Sequence, residues 1–329
     1  MRTRRMHQIL GVALAGPLLA GGLPAVAAAQ WVLIDETRAL RPGATVELTA
    51  ATHAIRVEPW DRSEIRITGA YEPRREEVEV RGTEHAFFFE ISHTDQRRSR
   101  PRREPHELRV RIPPDVRLLV HTASGAIHVR GVTNSLETWS ASGDVTVTGN
   151  AARVDLSTVS GRLSYDGDSP WVQLSGVSAP VEYRGRAVDL RAGSTSGKII
   201  VEGQVETLEL RSTSAPIRAN LSEPVRSLRM NTVSGALQFT GALAPSGRIS
   251  VESHSGSVDL DLEPNTEATF EIHTFSGGIQ ADIPGMTEVV RTRGRYTPEE
   301  RMVFVTGTGS AQVKVSSFSG SVRIRSAGG

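Results

Sequence analysis

The chain has 329 residues, with 38 Lys and Arg almost balanced by 37 Asp and Glu, for a formal net charge of +1. That balance supplies no global field for nucleic acid or a membrane surface, so a charged partner would have to be recognised by a local patch. Cysteine is absent, which excludes a disulfide scaffold and thiolate metal sites; with 5% aromatics and 31 glycines the core has to be aliphatic and supported by backbone ladders.

The chain opens with Arg2, Arg4 and Arg5, followed by an apolar run from Ile9 to Ala29 that is interrupted by Pro17 and Pro24. Ala27 and Ala29 satisfy a small-x-small cleavage rule, so residues 1–29 read as a signal peptide and Gln30 as the first mature residue. A membrane anchor is the competing reading, disfavoured by the two prolines and the small-residue exit. Without a cysteine after the run it is not a lipoprotein signal. The Arg4-Arg5 pair also admits twin-arginine export, although His7 and Gln8 stand where an apolar residue is more usual.

Residues 30–114 predict a degenerate β-strand region. Val46 and Leu48, then Ile55 and Val57, alternate around His53. The pairs Ile65/Ile67, Val78/Val80 and Phe87/Phe89/Ile91 continue the alternation, as do Leu108/Val110/Ile112. Between the last two groups, residues 95–106 carry Arg97, Arg98, Arg100, Arg102 and Arg103 with two prolines, and read as a solvated loop, either disordered or partner-binding.

From 115 to 329 the chain repeats. A Ser/Thr-x-Ser-(Gly or Ala) motif, its first residue replaced by Gly176 in one copy, ends at Gly125, Gly143, Gly161, Ala179, Gly197, Ala215, Gly235, Gly256, Gly277 and Gly320, at separations of 18, 18, 18, 18, 18, 20, 21, 21 and 43. The last gap, about two periods, predicts one degenerate coil together with an irregular insertion over 284–300. Seven and five residues before the small residue stand mostly apolar residues, as in Leu118/Val120 and Leu208/Leu210; two and four after it stand others, as in Ile127/Val129 and Ile199/Val201. Apolar residues two apart on either side of a turn are short strands with one buried face, whereas helical three-to-four spacing is missing.

Each period therefore contributes two strands to one elongated, all-β solenoid of about 18–21 residues per coil. The hand of the coil is left open, with the right-handed form favoured. A glycine six residues after the motif, at Gly131, Gly149, Gly167, Gly185, Gly203 and Gly241, marks a second turn. A lone coil buries too few side chains to offset the ordering of its residues, so the repeat makes sense only as a stack with neighbours about 4.8 Å apart. Ala179-Pro180 and Ala215-Pro216 show that the motif position demands small size more than a left-handed backbone.

These residues resemble the bacterial "putative adhesin" family of exported β-strand-repeat proteins, a domain of unknown function with a repeated t.sG.i.v.G signature. Thr122-Ala-Ser-Gly125 through Gly131 and Thr158-Val-Ser-Gly161 through Gly167 fit it, and Ile112-Pro113-Pro114 matches the family's opening before its first strong coil. The resemblance covers most of the mature chain. It implies a solenoid at the cell envelope or outside the cell and transfers no catalytic residues.

The residue before the small one is Ser in all ten copies, from Ser124 to Ser319. A nucleophile needs a base, and none recurs beside them, so these hydroxyls are expected to satisfy turn backbone. His121 and His128 lie on different strands, and His254 and His273 do not share a column, so the histidines read as scattered surface residues. Asp259, Asp261 and Asp282 are expected on the outer face, with Asp261 and Asp282 one ladder spacing apart. Such a group could bind Ca²⁺ or line a carbohydrate site, although solvated like charges are the plainer reading. No phosphate loop, H-E-x-x-H or G-x-S-x-G elbow occurs.

No catalytic, metal or cofactor-binding residue is assigned. The leading expectation is a non-enzymatic exported scaffold, periplasmic, outer-surface or secreted, that contacts a protein or an envelope polysaccharide, with no nucleic-acid partner and no stable membrane span after signal cleavage. A carbohydrate-binding or carbohydrate-cleaving β-helix and an envelope-stress regulatory partner are the alternatives.

Overall fold

The structure, a computed structural model, describes residues 31–94, 106–294 and 297–326. The expected signal peptide lies outside these residues, as does the basic loop over 95–106 apart from His106. The described residues hold 27 strands joined in one hydrogen-bonded sheet, with no helix among them.

Each coil gives one strand to each of two walls. On the first wall Arg117–Thr122, Ser135–Ser140 and Arg153–Thr158 stack in parallel, with Leu118, Leu136 and Val154 in one row and Val120, Thr138 and Leu156 in the next. On the second wall Ile127–Arg130, Val145–Thr148 and Leu163–Asp166 do the same, with Ile127, Val145 and Leu163 aligned. Alternation places these rows inside, and they are buried. Farther along, Val181–Ser194 and Ile199–Ser212 each run unbroken from the second wall of one coil into the first wall of the next.

The core contains one inward column beyond the four expected. Ala151, Ser169, Ala187, Val205 and Val225 are buried where the chain leaves the second turn. There Gly131, Gly149, Gly167, Gly185, Gly203 and Gly241 all have positive φ, which only glycine adopts freely. Two coils carry tyrosine instead of an aliphatic residue. The Tyr165 hydroxyl donates to the Gly149 carbonyl at 2.9 Å, so its polar end is satisfied, while burial of the ring pushes its pKa up to about 12.

The motif turn is built differently. A Cβ at Gly143 would lie 2.0 Å from the Gly125 carbonyl oxygen, and one at Gly161 2.1 Å from that of Gly143. None of the motif glycines has positive φ. Smallness is thus demanded by the coil underneath. Where Ala179 stands instead, residue 176, three before it, is glycine, and a side chain there would press on the Ala179 methyl at 3.0 Å.

Chain order and spatial order part company at both ends. Thr45–Ala50 lies between Ala86–His93 and Arg117–Thr122, parallel to both, with Val46 in register with Phe87 and Leu118. Ala54–Pro59 likewise lies between Glu107–Ile112 and Ile127–Arg130, which puts His53 in the motif position of its coil.

At the other end Ala311–Ser317 enters between Leu243–Ser253 and Ala268–Thr274, with Val313 aligned to Ile249 and Phe270. Val322–Ser326 enters between Val258–Leu262 and Ile279–Asp282. The degenerate coil expected between Gly277 and Gly320 is therefore absent. In its place Met286–Arg293 and Glu300–Thr306 form an antiparallel pair, and the latter strand covers Ala268–Thr274.

Antiparallel strands also close the opposite end. Glu76–Gly82 pairs with Ala86–His93, Glu64–Tyr71 with Glu107–Ile112, and Val32–Ala39 with Glu64–Tyr71. Glu77, Glu79 and Arg81 on one edge strand, and a bulge with positive φ at Glu288 on another, discourage further strand addition.

Candidate functional site

The turn carrying the serine column is the most regular surface of the molecule. The Ser142 amide donates to the Ala123 carbonyl at 3.0 Å and its hydroxyl to the same oxygen at 3.2 Å; Ser160, Ser214, Ser234 and Ser255 repeat the arrangement on the coil before. The hydroxyls are exposed yet engaged with backbone, in keeping with a structural role.

A second hydroxyl column, three residues before the small residue, is buried inside the turn. Ser140, Ser194, Ser212, Thr232, Ser253 and Ser317 each accept the amide hydrogen of the residue three later at 2.8–3.0 Å. Thr122 and Thr274 donate to the carbonyl of that residue instead. This inner column closes the turn, and the first letter of the motif was the available sign of it.

Two residues before the small residue the side chains point outward. Along the stack these are Ala123, Ala141, Val159, Val177, Thr195, Thr213, Val233 and His254, none of them acidic or lysine/arginine. Insertion of the C-terminal coil completes the column with Phe318 and then Phe275. His254 stacks on Phe318 at 4.8 Å with an interplanar angle of 2°, and Phe318 on Phe275 at 4.9 Å and 6°. The two phenylalanines remain 48% and 40% exposed. Residues 254, 275 and 318 share one motif column, but chain order would put Phe275 next to His254; the three form a ladder because Phe318 enters between them and the coil spacing is close to the stacking distance of flat rings.

The acidic group expected at this end does not form. Val322–Ser326 lies between the strands that carry Asp261 and Asp282, so these two acids are two coils apart, roughly 10 Å rather than about 5 Å. Arg325, in register with both, contacts Asp261 at 2.8 Å, and Arg323 contacts Asp259 at 3.2 Å. Guanidinium groups occupy the place where a cation or sugar hydroxyl would have to sit. The spacing rule was right, but it was applied to coils that are not neighbours.

Two further clusters lie near the N-terminal end. His53 and Glu76 are buried 4.0 Å apart, His93 approaches Glu76 at 3.9 Å, and the Glu72 amide donates to Glu76 at 2.7 Å. On the second wall Arg56, Glu58, Arg66, Thr68, Glu107, Arg109 and Arg111 line a groove of about 580 Å³. Its charges are largely paired. Arg56 and Arg109 hold Glu107 at 3.2 and 2.9 Å, which brings its carboxyl below the usual range despite partial burial, and Arg66 holds Asp35 through two bonds of 3.0 Å.

No helix of the described residues is long and apolar enough to cross a membrane. Among solved structures, the chain is similar to a "putative cell adhesion protein" from Clostridium sporogenes, at 8% identity, over 90% of this chain and 100% of that one, with a TM-score of 0.21. It is also similar to a "putative adhesin" from Bacteroides fragilis, at 10% identity over 89% and 97% of the two chains and a TM-score of 0.33. A third likeness is to a "putative lipid binding protein" from Parabacteroides distasonis, at 12% identity over 88% and 96% and a TM-score of 0.37. No curated protein matches the chain. Residues 41–325 match the family model described as Toastrack DUF4097.

Proposed function

The chain belongs to the Toastrack DUF4097 family, and from that premise we propose that it is an exported, non-enzymatic β-solenoid scaffold that makes adhesive or protein contacts at the cell envelope. The observation that carries this reading is the outward turn column, free of acids, lysine and arginine, which ends in the exposed rings of His254, Phe318 and Phe275. An aromatic ladder held in register by a rigid backbone offers contact area with little conformational entropy left to lose. The signal-like residues 1–29 support export. The carbohydrate alternative rested on the solenoid architecture and on Asp259, Asp261 and Asp282; Arg325 stands in register between Asp261 and Asp282, so the acidic group no longer supports it and the architecture alone remains.

Co-sedimentation of the purified mature chain with isolated envelope fractions tests the reading. Wild type should sediment with them, and Phe275→Ser/Phe318→Ser, folded by its melting curve, should lose most of that binding. Equal sedimentation of both proteins, or none by wild type, would count against it.

A further inference from the structure

A different face of the molecule holds a second feature. On the first wall Glu137 and Trp139 are two residues apart on the strand Ser135–Ser140, both outward and exposed, with Trp139 45% accessible. The next coil places Asp155 in register with Glu137. Neither carboxylate takes part in an ion pair among the described residues, and none of those residues stacks on Trp139. Leu119, His121 and Gln173 flank the pair in the adjoining rows.

One coil farther on, the same face shows what such a surface accepts. The Arg153 guanidinium lies over the Trp171 ring at 3.6 Å, so its charge is already committed to that stack. Trp139 and the Glu137/Asp155 pair repeat this chemistry with the cation missing. The pair is also under strain as it stands. Burial raises the Asp155 carboxyl, repulsion from Glu137 raises it further, and Arg153 opposes the shift without cancelling it.

We propose that this face docks an arginine-bearing polypeptide segment, one guanidinium stacking on the Trp139 indole while its N–H groups bond the Glu137 and Asp155 carboxylates. The charge of the face selects a cation, and the indole selects a flat one. A guanidinium serves both, because it stacks on aromatic faces and forms forked bonds to carboxylates, whereas an ammonium is a compact, strongly hydrated charge. A neutral sugar could use the indole but would leave the carboxylate repulsion in place. The site is remote in sequence from the aromatic ladder, and its test is independent of the envelope-contact reading.

The experiment is fluorescence anisotropy of labelled hexa-arginine with the full mature chain, alongside hexalysine and cellohexaose. Hexa-arginine should bind more tightly than hexalysine, weaken with added salt, and change the tryptophan emission. Trp139→Ala should weaken it about three- to thirtyfold. Glu137→Gln/Asp155→Asn should weaken it comparably, and Glu252→Gln, an exposed acid elsewhere on this wall, should leave it unchanged. The double variant keeps the test informative should Trp139→Ala fold poorly. Unchanged binding in the double variant, an equal loss in Glu252→Gln, equal affinity for hexalysine, or Trp139-dependent binding of cellohexaose in place of hexa-arginine would overturn the proposal.

Discussion

Between Arg117 and Leu262 the chain lays down its coils in the order in which it is written, whereas at both ends it does not. In the middle, each strand pairs with those one period before and after it. At the ends, the first and last full coils, around His53 and Gly320, are slotted in second from the edge. The outermost positions fall to Ala86–His93 with Glu107–Ile112 and to Ala268–Thr274 with Ile279–Asp282, all internal in sequence, and antiparallel strands cover Ala86–His93, Glu107–Ile112 and Ala268–Thr274 in turn. Bulky filling does not distinguish the ends from the middle: Phe87 and Phe89 lie at one end and the stacked Phe270 and Phe304, 4.4 Å apart, at the other, while Tyr165, Tyr183 and Phe239 are buried in the middle. The lesson is that a solenoid need not fray from its chain termini. Here each terminal coil has a neighbour on both sides, so its opening requires the disruption of two ladders.

The largest expected effect sets the scale for the middle. Leu174 is fully buried, and Leu174→Asp should cost about 3 kcal/mol or more by placing an unpaired charge in the column, seen as loss of the folded baseline in thermal denaturation. A similar cost for Val315→Asp would sharpen the comparison, since Val315 aligns with Val251 and Ile272 on either side. A fraying terminal coil would instead tolerate it. Hydrogen exchange provides the same check without mutation: the amides of Val313 and Val315 should be protected as well as those of Ile249 and Val251, and rapid exchange would break the comparison.

A smaller effect separates the two hydroxyl columns of the turn. Ser140→Ala leaves the buried Gly143 amide without its acceptor and should cost about 1–3 kcal/mol. Ser142→Ala removes an exposed hydroxyl from a carbonyl that keeps its backbone bond, and should fall within about 0.5 kcal/mol. Denaturant midpoints of the two variants decide it.

The smallest effect is a gain. Asp155 has a folded pKa above its ordinary value, so the native state holds the proton more tightly than the unfolded chain does. Its carboxylate therefore lowers stability once the pH has risen through both values, and has no such cost below the ordinary one. Asp155→Asn should raise the melting temperature slightly at neutral pH, with the gain gone near about pH 3. A variant that melts lower at neutral pH would contradict the unrelieved pairing with Glu137.

Much of the fold was legible because β-strands alternate faces. The rows through Leu118, Val120, Ile127 and Val129 are buried as their spacing required, and even the weak Val46/Leu48/His53/Ile55/Val57 set falls into register with them. The inner Ser/Thr column was visible as a letter of the motif, but its role depends on a hydroxyl facing inward, which the letter does not say. The column through Ala151, Ala187 and Val205 went unread because these residues follow a glycine turn, where alternation resets.

What the sequence alone determined was the coil: its period, its two strands, its buried rows and its small turn residue, each set by local sterics and side-chain polarity. Which coil stacks on which was decided only in three dimensions. Every coil offers its neighbours the same ladder and similar aliphatic rows, so the repeat itself does not distinguish one stacking order from another. The connecting segments and the antiparallel strands at the ends choose among them. That choice puts Arg325 between Asp261 and Asp282, and Phe318 between His254 and Phe275. It dissolves the acidic group that sequence spacing had suggested and sets the order of an aromatic ladder whose residues spacing places in one column without ordering them.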